Sequence, residues 1–130
     1  MDQPQGSVRN LLRLEGLAVL LATVAAYGQW ANRGWLFFAA LLLCPDLSTL
    51  GYLRNPRVGA AAYNLVHNYV GPVVLGAMSL LWLGQLWLGI ALIWGAHIGM
   101  DRTLGYGLKL PSSFHSTHLG PIGRTREPAP

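Results

Sequence analysis

From Val58 to Met100 the chain runs 43 residues without one Asp, Glu, Lys or Arg. Near the middle of this stretch Gly84-Gln85 forms a minimal break, flanked by Trp82 and Trp87. A hydrocarbon core about 30 Å thick is crossed by roughly 20 apolar residues as a helix, and lipid offers no water to backbone groups left unpaired. The stretch therefore predicts two membrane spans joined by a tight turn. It still carries His67 and His97, and Asp101 follows at once. Those three residues are the functional question.

The rest of the chain fits the same solution. Of its 130 residues 52% are hydrophobic and 11% charged, against roughly a quarter charged in soluble domains. A first span is expected over residues 8–30, amphipathic at its start (Arg9, Arg13, Glu15) and then apolar. A cleaved secretory leader competes for this segment, with Val24-Ala25-Ala26 as a loose cleavage site. Glu15 at the head of the apolar run and the spans that follow argue for retention. The second span is expected over 35–53, kinked by Pro45, where Ser48 and Thr49 can serve freed backbone groups. Arg54-Asn55-Pro56-Arg57 reads as a turn, with Pro56 placed to begin a helix. The third span, 58–83, opens on small residues from Gly59 to Ala62 that let helices approach, and Gly71-Pro72 predicts a second kink. The fourth, 85–104, stops at Gly105-Tyr106-Gly107, with Lys109 beyond it. The fold class is thus all-α, an integral membrane four-helix bundle over residues 1–110, followed by a polar tail over 111–130.

Charge orients it. Arg9, Arg13, Arg54, Arg57, Arg102, Lys109, Arg124 and Arg126 fall on one side of the spans, and only Arg33 falls on the other. The positive-inside rule then puts both termini in the cytoplasm of a multi-pass protein of the bacterial cytoplasmic membrane. Trp30, Trp35, Trp82 and Trp87 flank the two outer turns, as an interfacial aromatic belt would. The net charge of +4 reports this topology rather than a nucleic-acid partner, because the basic residues form no dense run. The partner is the lipid bilayer, with room for a homo-oligomer or a membrane partner subunit. The single cysteine, Cys44, excludes an internal disulfide and a multi-Cys metal site.

Folding the chain at its turns brings polar residues to one depth in the cytoplasmic half. Glu15, Asp46, the face from Tyr63 through Asn64 to His67 and Asn68, and Asp101 with Arg102 lie within a turn or two of each other. His97 and Asp101 share a helix face at i,i+4. Ionisable groups at membrane depth are costly, so they turn inward, pair, and mark sites. Simpler roles compete: Glu15 can pair with Arg13 or Arg9, Asp46 with Arg54 or Arg57, and a lone buried His is usually a hydrogen-bond donor. Asp101 sits at the unfavourable end of a helix dipole and needs a cationic partner, for which Arg102, His97 and His67 are candidates. Neutral imidazoles with carboxylates form a ligand set for zinc, manganese or iron. The candidate metal ligands are Asp46, His67, His97 and Asp101, with Glu15 at the edge. His67, His97 and Asp101 are also the candidate catalytic groups, supported by Tyr63, Asn64, Asn68, Arg102 and His118. Bis-His haem fits less well, since His67 and His97 are offset by about five residues, some 7 Å along the axis. His115 and His118 could fold back as a lid; a plain polar loop is the simpler reading.

Pro45-Asp46-Leu47-Ser48 with Gly51-Tyr52, Tyr63-Asn64 with His67, and His97 with Asp101-Arg102 and Gly105-Tyr106-Gly107-Leu108-Lys109 carry a resemblance, completed by Phe114 with Thr117-His118-Leu119-Gly120. Together, over about residues 9 to 123, they resemble the small bacterial membrane family known as domain of unknown function 4260. The resemblance implies the membrane fold and the importance of these positions; it brings no activity with it. A Pro-Asp within a span and scattered His also resemble membrane-bound metal-dependent hydrolases.

Three functions follow as expectations. The first is a buried, cytoplasm-facing His/Asp/Glu site, performing metal-assisted hydrolysis of a lipid-like substrate. The second is a small carrier or proton-coupled module, for which the outer half offers little beyond Thr23, Gln29, Ser79 and Gln85. The third is a non-catalytic membrane scaffold or partner subunit. Bound metal separates the first from the others.

Overall fold

The computed structural model describes residues 6–108, so His115, His118, Lys109 and the rest of the expected tail lie outside the described residues. Every regular element among the described residues is helical. In order they are α1 (Gly6–Trp30), α2 (Trp35–Leu42), a 3₁₀ helix (Cys44–Leu53), α3 (Pro56–Val66), α4 (Val70–Met78), a π-helical turn (Ser79–Leu83) and α5 (Gln85–Leu104). They make four rods, because the 3₁₀ helix continues α2 and α4 with its π turn continues α3. Three rods, Gly6–Trp30, Trp35–Leu53 and Pro56–Leu83, are long and apolar enough to cross a membrane. Along them many large apolar side chains face outward, among them Leu21, Leu36, Leu53, Val73 and Leu80.

α5 has the bounds expected for a fourth span, yet it is not one of those three. It lies at the centre, with Gly89, Ala91, Ile93, Gly95, Ala96, His97, Ile98, Gly99, Asp101 and Arg102 buried. Its His97, Asp101 and Arg102 thus face protein.

Small residues set how closely α1 and α5 approach. A Cβ on Gly99 would stand 2.8 Å from both the Gly16 carbonyl oxygen and the Leu20 nitrogen, and one on Gly16 would collide with the Arg102 Cβ. Backbone meets backbone at this crossing, the role of small residues in membrane helix pairs. Gly99→Ala should destabilise the bundle by about 1–3 kcal/mol, the usual range for overpacking. Unfolding in mixed micelles measures it, and an unchanged midpoint would show that the helices can separate freely.

The two prolines act differently from a simple kink. α2 ends at Leu42, and Pro45 lies in the first turn of the 3₁₀ helix, where no amide hydrogen is needed. Ser48 and Thr49 hydroxyls donate to the Pro45 and Asp46 carbonyls at 2.7 Å each. In the next rod the break expected at Gly71-Pro72 falls one turn earlier, over His67–Tyr69. Proline lacks the hydrogen that would bond to the carbonyl four residues back and clashes with it, so the α-helix ends upstream. Pro72 then lies in the first turn of α4. Asn55 caps α3 by accepting from the Val58 amide at 2.8 Å, with Pro56 as the first helical residue. α5 closes as expected: Gly105 adopts φ +89°, and the Tyr106 and Gly105 amides return to the Asp101 and Arg102 carbonyls.

The 3₁₀ helix and α3 fold back on each other as a hairpin, while α5 packs on α1, α4 and α2. Neither arm of the hairpin has an extended backbone interface with α5. They meet through side chains.

Candidate metal centre

The break at His67–Tyr69 leaves α3 with carbonyls that no amide of its own helix can reach. Side chains take them. Asn68 Nδ2 donates to the Asn64 and Leu65 oxygens at 2.7 and 3.0 Å, and Asn68 Oδ1 accepts from the Val70 amide at 2.9 Å. Trp94 Nε1 donates to Val66 O at 2.6 Å, and Arg102 donates to His67 O at 3.0 Å. The indole of Trp94 also lies over Gly71, where a Cβ would strike it. Irregular backbone away from water is tolerated when protein satisfies it, and here Asn68 of the break itself and Trp94 and Arg102 of α5 do so. His67 is thereby held at the seam.

Four side chains converge there. Asp46 from the 3₁₀ helix, His67 from the break, and His97 and Asp101 from α5 each offer one ligand atom, all within 4.8 Å of one another. His67 Nε2 lies 3.1 Å from His97 Nε2, 3.3 Å from Asp46 Oδ1 and 3.6 Å from Asp101 Oδ2. His97 Nε2 lies 3.2 Å from each of the same two carboxylate oxygens. The two imidazoles and Asp101 are buried, whereas the Asp46 side chain is 48% exposed.

Hydrogen bonding behind His67 fixes what its Nε2 presents. Nδ1 is 2.9 Å from Tyr63 O, an acceptor only, so Nδ1 carries the proton and donates. In the neutral ring Nε2 then presents a lone pair to the centre. That lone pair faces His97 Nε2 and two carboxylate oxygens, a donor set that a cation satisfies. A backbone carbonyl holding the far nitrogen is also the usual way a ligating His is oriented. His97 Nδ1 is buried without a partner of hydrogen-bond geometry, the Leu42 carbonyl being the backbone acceptor in its neighbourhood.

Spacing agrees with chemistry. A tetrahedral ion bonded at about 2.0–2.1 Å keeps neighbouring ligand atoms about 3.3 Å apart, close to most of the separations seen here. Two carboxylates also supply the charge that a divalent ion neutralises, which matters where water is scarce.

The other residues singled out from the sequence take supporting places. Tyr63 OH donates to Asp101 Oδ2 at 3.3 Å, and its ring stacks on His67 at 3.6 Å between centroids and 6° between planes. Asn68 and Arg102 serve the helix break. Arg102 makes no salt bridge to Asp101 among the described residues; its guanidinium donates to the His67 and Tyr106 carbonyls and lies over the Tyr69 ring. Asp101 instead finds His97, His67 and Tyr63. Glu15, expected at the edge, is exposed on α1 and is not one of the four. Despite the offset of about 7 Å expected along the axis, the His67 and His97 Nε2 atoms meet at 3.1 Å. Two nitrogens 3.1 Å apart cannot take opposite faces of one haem. Trp94 escaped the sequence reading, although it is the one tryptophan of five placed inside a span and stands three residues before His97.

Fold and site together define an all-helical chain, three of its rods apolar enough to cross a membrane, with a His₂Asp₂ group between a hairpin and a central helix. The chain belongs to the family described as domain of unknown function (DUF4260), which matches residues 9–122. No curated protein and no solved structure matches it significantly.

Proposed function

We propose that this chain holds a divalent metal ion (Zn, Mn or Fe) inside the membrane and uses it to hydrolyse a lipid-like substrate. The observation that carries the reading is the set of four mutually facing ligand atoms, with His67 Nδ1 committed to a backbone carbonyl. His67, His97 and Asp101 form the buried part of the ligand set. Asp46 would complete it or, being half-exposed, would accept the proton of a water that the ion activates. Such an ion supplies that water near neutral pH.

Surroundings favour a substrate that arrives through the bilayer. Asp46 is the exposed side of the group, and its exposed neighbours are Leu43, Leu47 and Leu50. A cavity of about 310 Å³ is lined by Cys44, Pro45, Val66, Ile93 and Trp94, among others, and Pro45 and Val66 directly precede the ligands Asp46 and His67. An acyl chain would lie there with its ester at the metal. A carrier would need a polar route to the opposite end, but Gly89, Leu92 and Ile93 of α5 offer none. A scaffold would need no facing lone pairs.

Metal-loaded protein in detergent should cleave a long-chain nitrophenyl ester faster than the acetate, and His97→Ala should be inactive on both. Equal turnover by wild type and His97→Ala would end the hydrolase reading. The charge asymmetry further favours both termini in the cytoplasm. Reporter fusions after residue 108 and in the Arg33 loop should report cytoplasm and exterior respectively; the reverse would overturn the orientation.

A further inference from the structure

We infer that Tyr63 is the positioning residue of the metal centre, setting two ligands from opposite sides of the seam. The inference rests on the metal reading above and adds a role that no ligand performs. Three separate contacts carry it. The Tyr63 carbonyl accepts from His67 Nδ1 at 2.9 Å and holds that ring in the tautomer whose Nε2 is free to bind. The Tyr63 ring lies parallel to His67 at 3.6 Å and fixes the plane of the imidazole. Its hydroxyl crosses the seam and donates to Asp101 Oδ2 at 3.3 Å.

The third contact makes the residue more than a neighbour. Oδ2 is the same oxygen that faces His97 Nε2 and His67 Nε2. A hydrogen bond from Tyr63 occupies one of its lone-pair directions and would leave another for a bound ion. Tyr63 is itself buried, 4% exposed, so water cannot easily take over the donor role. The carbonyl contact survives any substitution at position 63, because it is backbone. Side-chain changes therefore isolate the stacking and the hydroxyl.

Outer-sphere partners of metal ligands typically contribute about 10–100-fold to affinity. Tyr63→Phe keeps the ring and removes only the hydroxyl. Cobalt(II) titration of purified full-length protein, with a competing chelator, reads both affinity and the visible d–d spectrum of the bound ion. Tyr63→Phe should bind Co²⁺ about 10–100-fold more weakly with an altered d–d spectrum, while the metal-free melting midpoint stays that of wild type. Incorporating 4-aminophenylalanine at position 63 restores a donor and should recover affinity and spectrum. Wild-type affinity and spectrum in Tyr63→Phe would overturn the inference and leave the metal centre standing. So would a variant that loses stability and affinity together and is not recovered by the amino analogue, since that marks a packing role. Absence of Co²⁺ uptake by wild type would remove the metal reading and this inference with it.

Discussion

His97→Ala should lose metal binding outright: one ion per chain in wild type, close to none in the variant, with affinity down by more than the ~100-fold typical of an outer-sphere loss. His97 is the ligand whose removal leaves least to compensate. Its Nε2 is within 3.2 Å of the Asp46, His67 and Asp101 ligand atoms, so it touches every other member of the group. It also projects from the buried face of α5, where water cannot readily fill the gap. Truncation there leaves His67 with two carboxylates from different elements and no fourth donor. Isothermal titration with Zn²⁺ and Mn²⁺ measures the loss. His97→Ala binding as wild type does would mean that any ion sits elsewhere. Because ligating imidazoles must be unprotonated, wild-type affinity should also fall as the solution is made acidic.

Metal should also lock the hairpin to the bundle. Asp46 and His67 belong to the 3₁₀/α3 hairpin, His97 and Asp101 to α5, and the hairpin lacks an extended backbone interface with that helix. Without an ion, the two bodies are joined by single contacts such as Trp94 to Val66 O and Arg102 to His67 O. An ion bonded to both bodies binds only the closed arrangement. At a hundred times the dissociation constant it stabilises that arrangement by about 2.7 kcal/mol, or roughly 100-fold in the opening equilibrium. Amide hydrogen exchange over residues 44–66 should therefore slow by up to about 100-fold on metal addition, with α1 much less affected. Uniform protection of all helices, or none, would contradict a clamp between two bodies.

Much of this was legible because membrane depth and helical period are properties of the sequence. The uncharged run from Val58 to Met100 required helices, and the turns at Arg54-Asn55 and Gly84-Gln85 aligned Asp46, His67 and Asp101 in depth. Direction around each helix was not legible, because it depends on packing. α5 faces its His97/Asp101 stripe inward only because Gly16 and Gly99 let it press against α1 on another side. The position of the break was misjudged for a local reason: Pro72 acts on the carbonyl one turn upstream, so the irregularity fell on His67 itself. His67 at that break still meets His97, Nε2 to Nε2, at 3.1 Å. Glu15 shared the depth but not the face.

Elemental analysis of detergent-purified wild-type protein tests the metal centre most directly. The protein would be expressed with Zn, Mn and Fe supplied, purified without chelator, and quantified by mass spectrometry against protein concentration. About one equivalent of a single divalent metal per chain is the result expected from one four-ligand site, falling to background when His67 and His97 are both replaced by alanine. Background metal in wild type, or an equivalent that survives the double replacement, would contradict it.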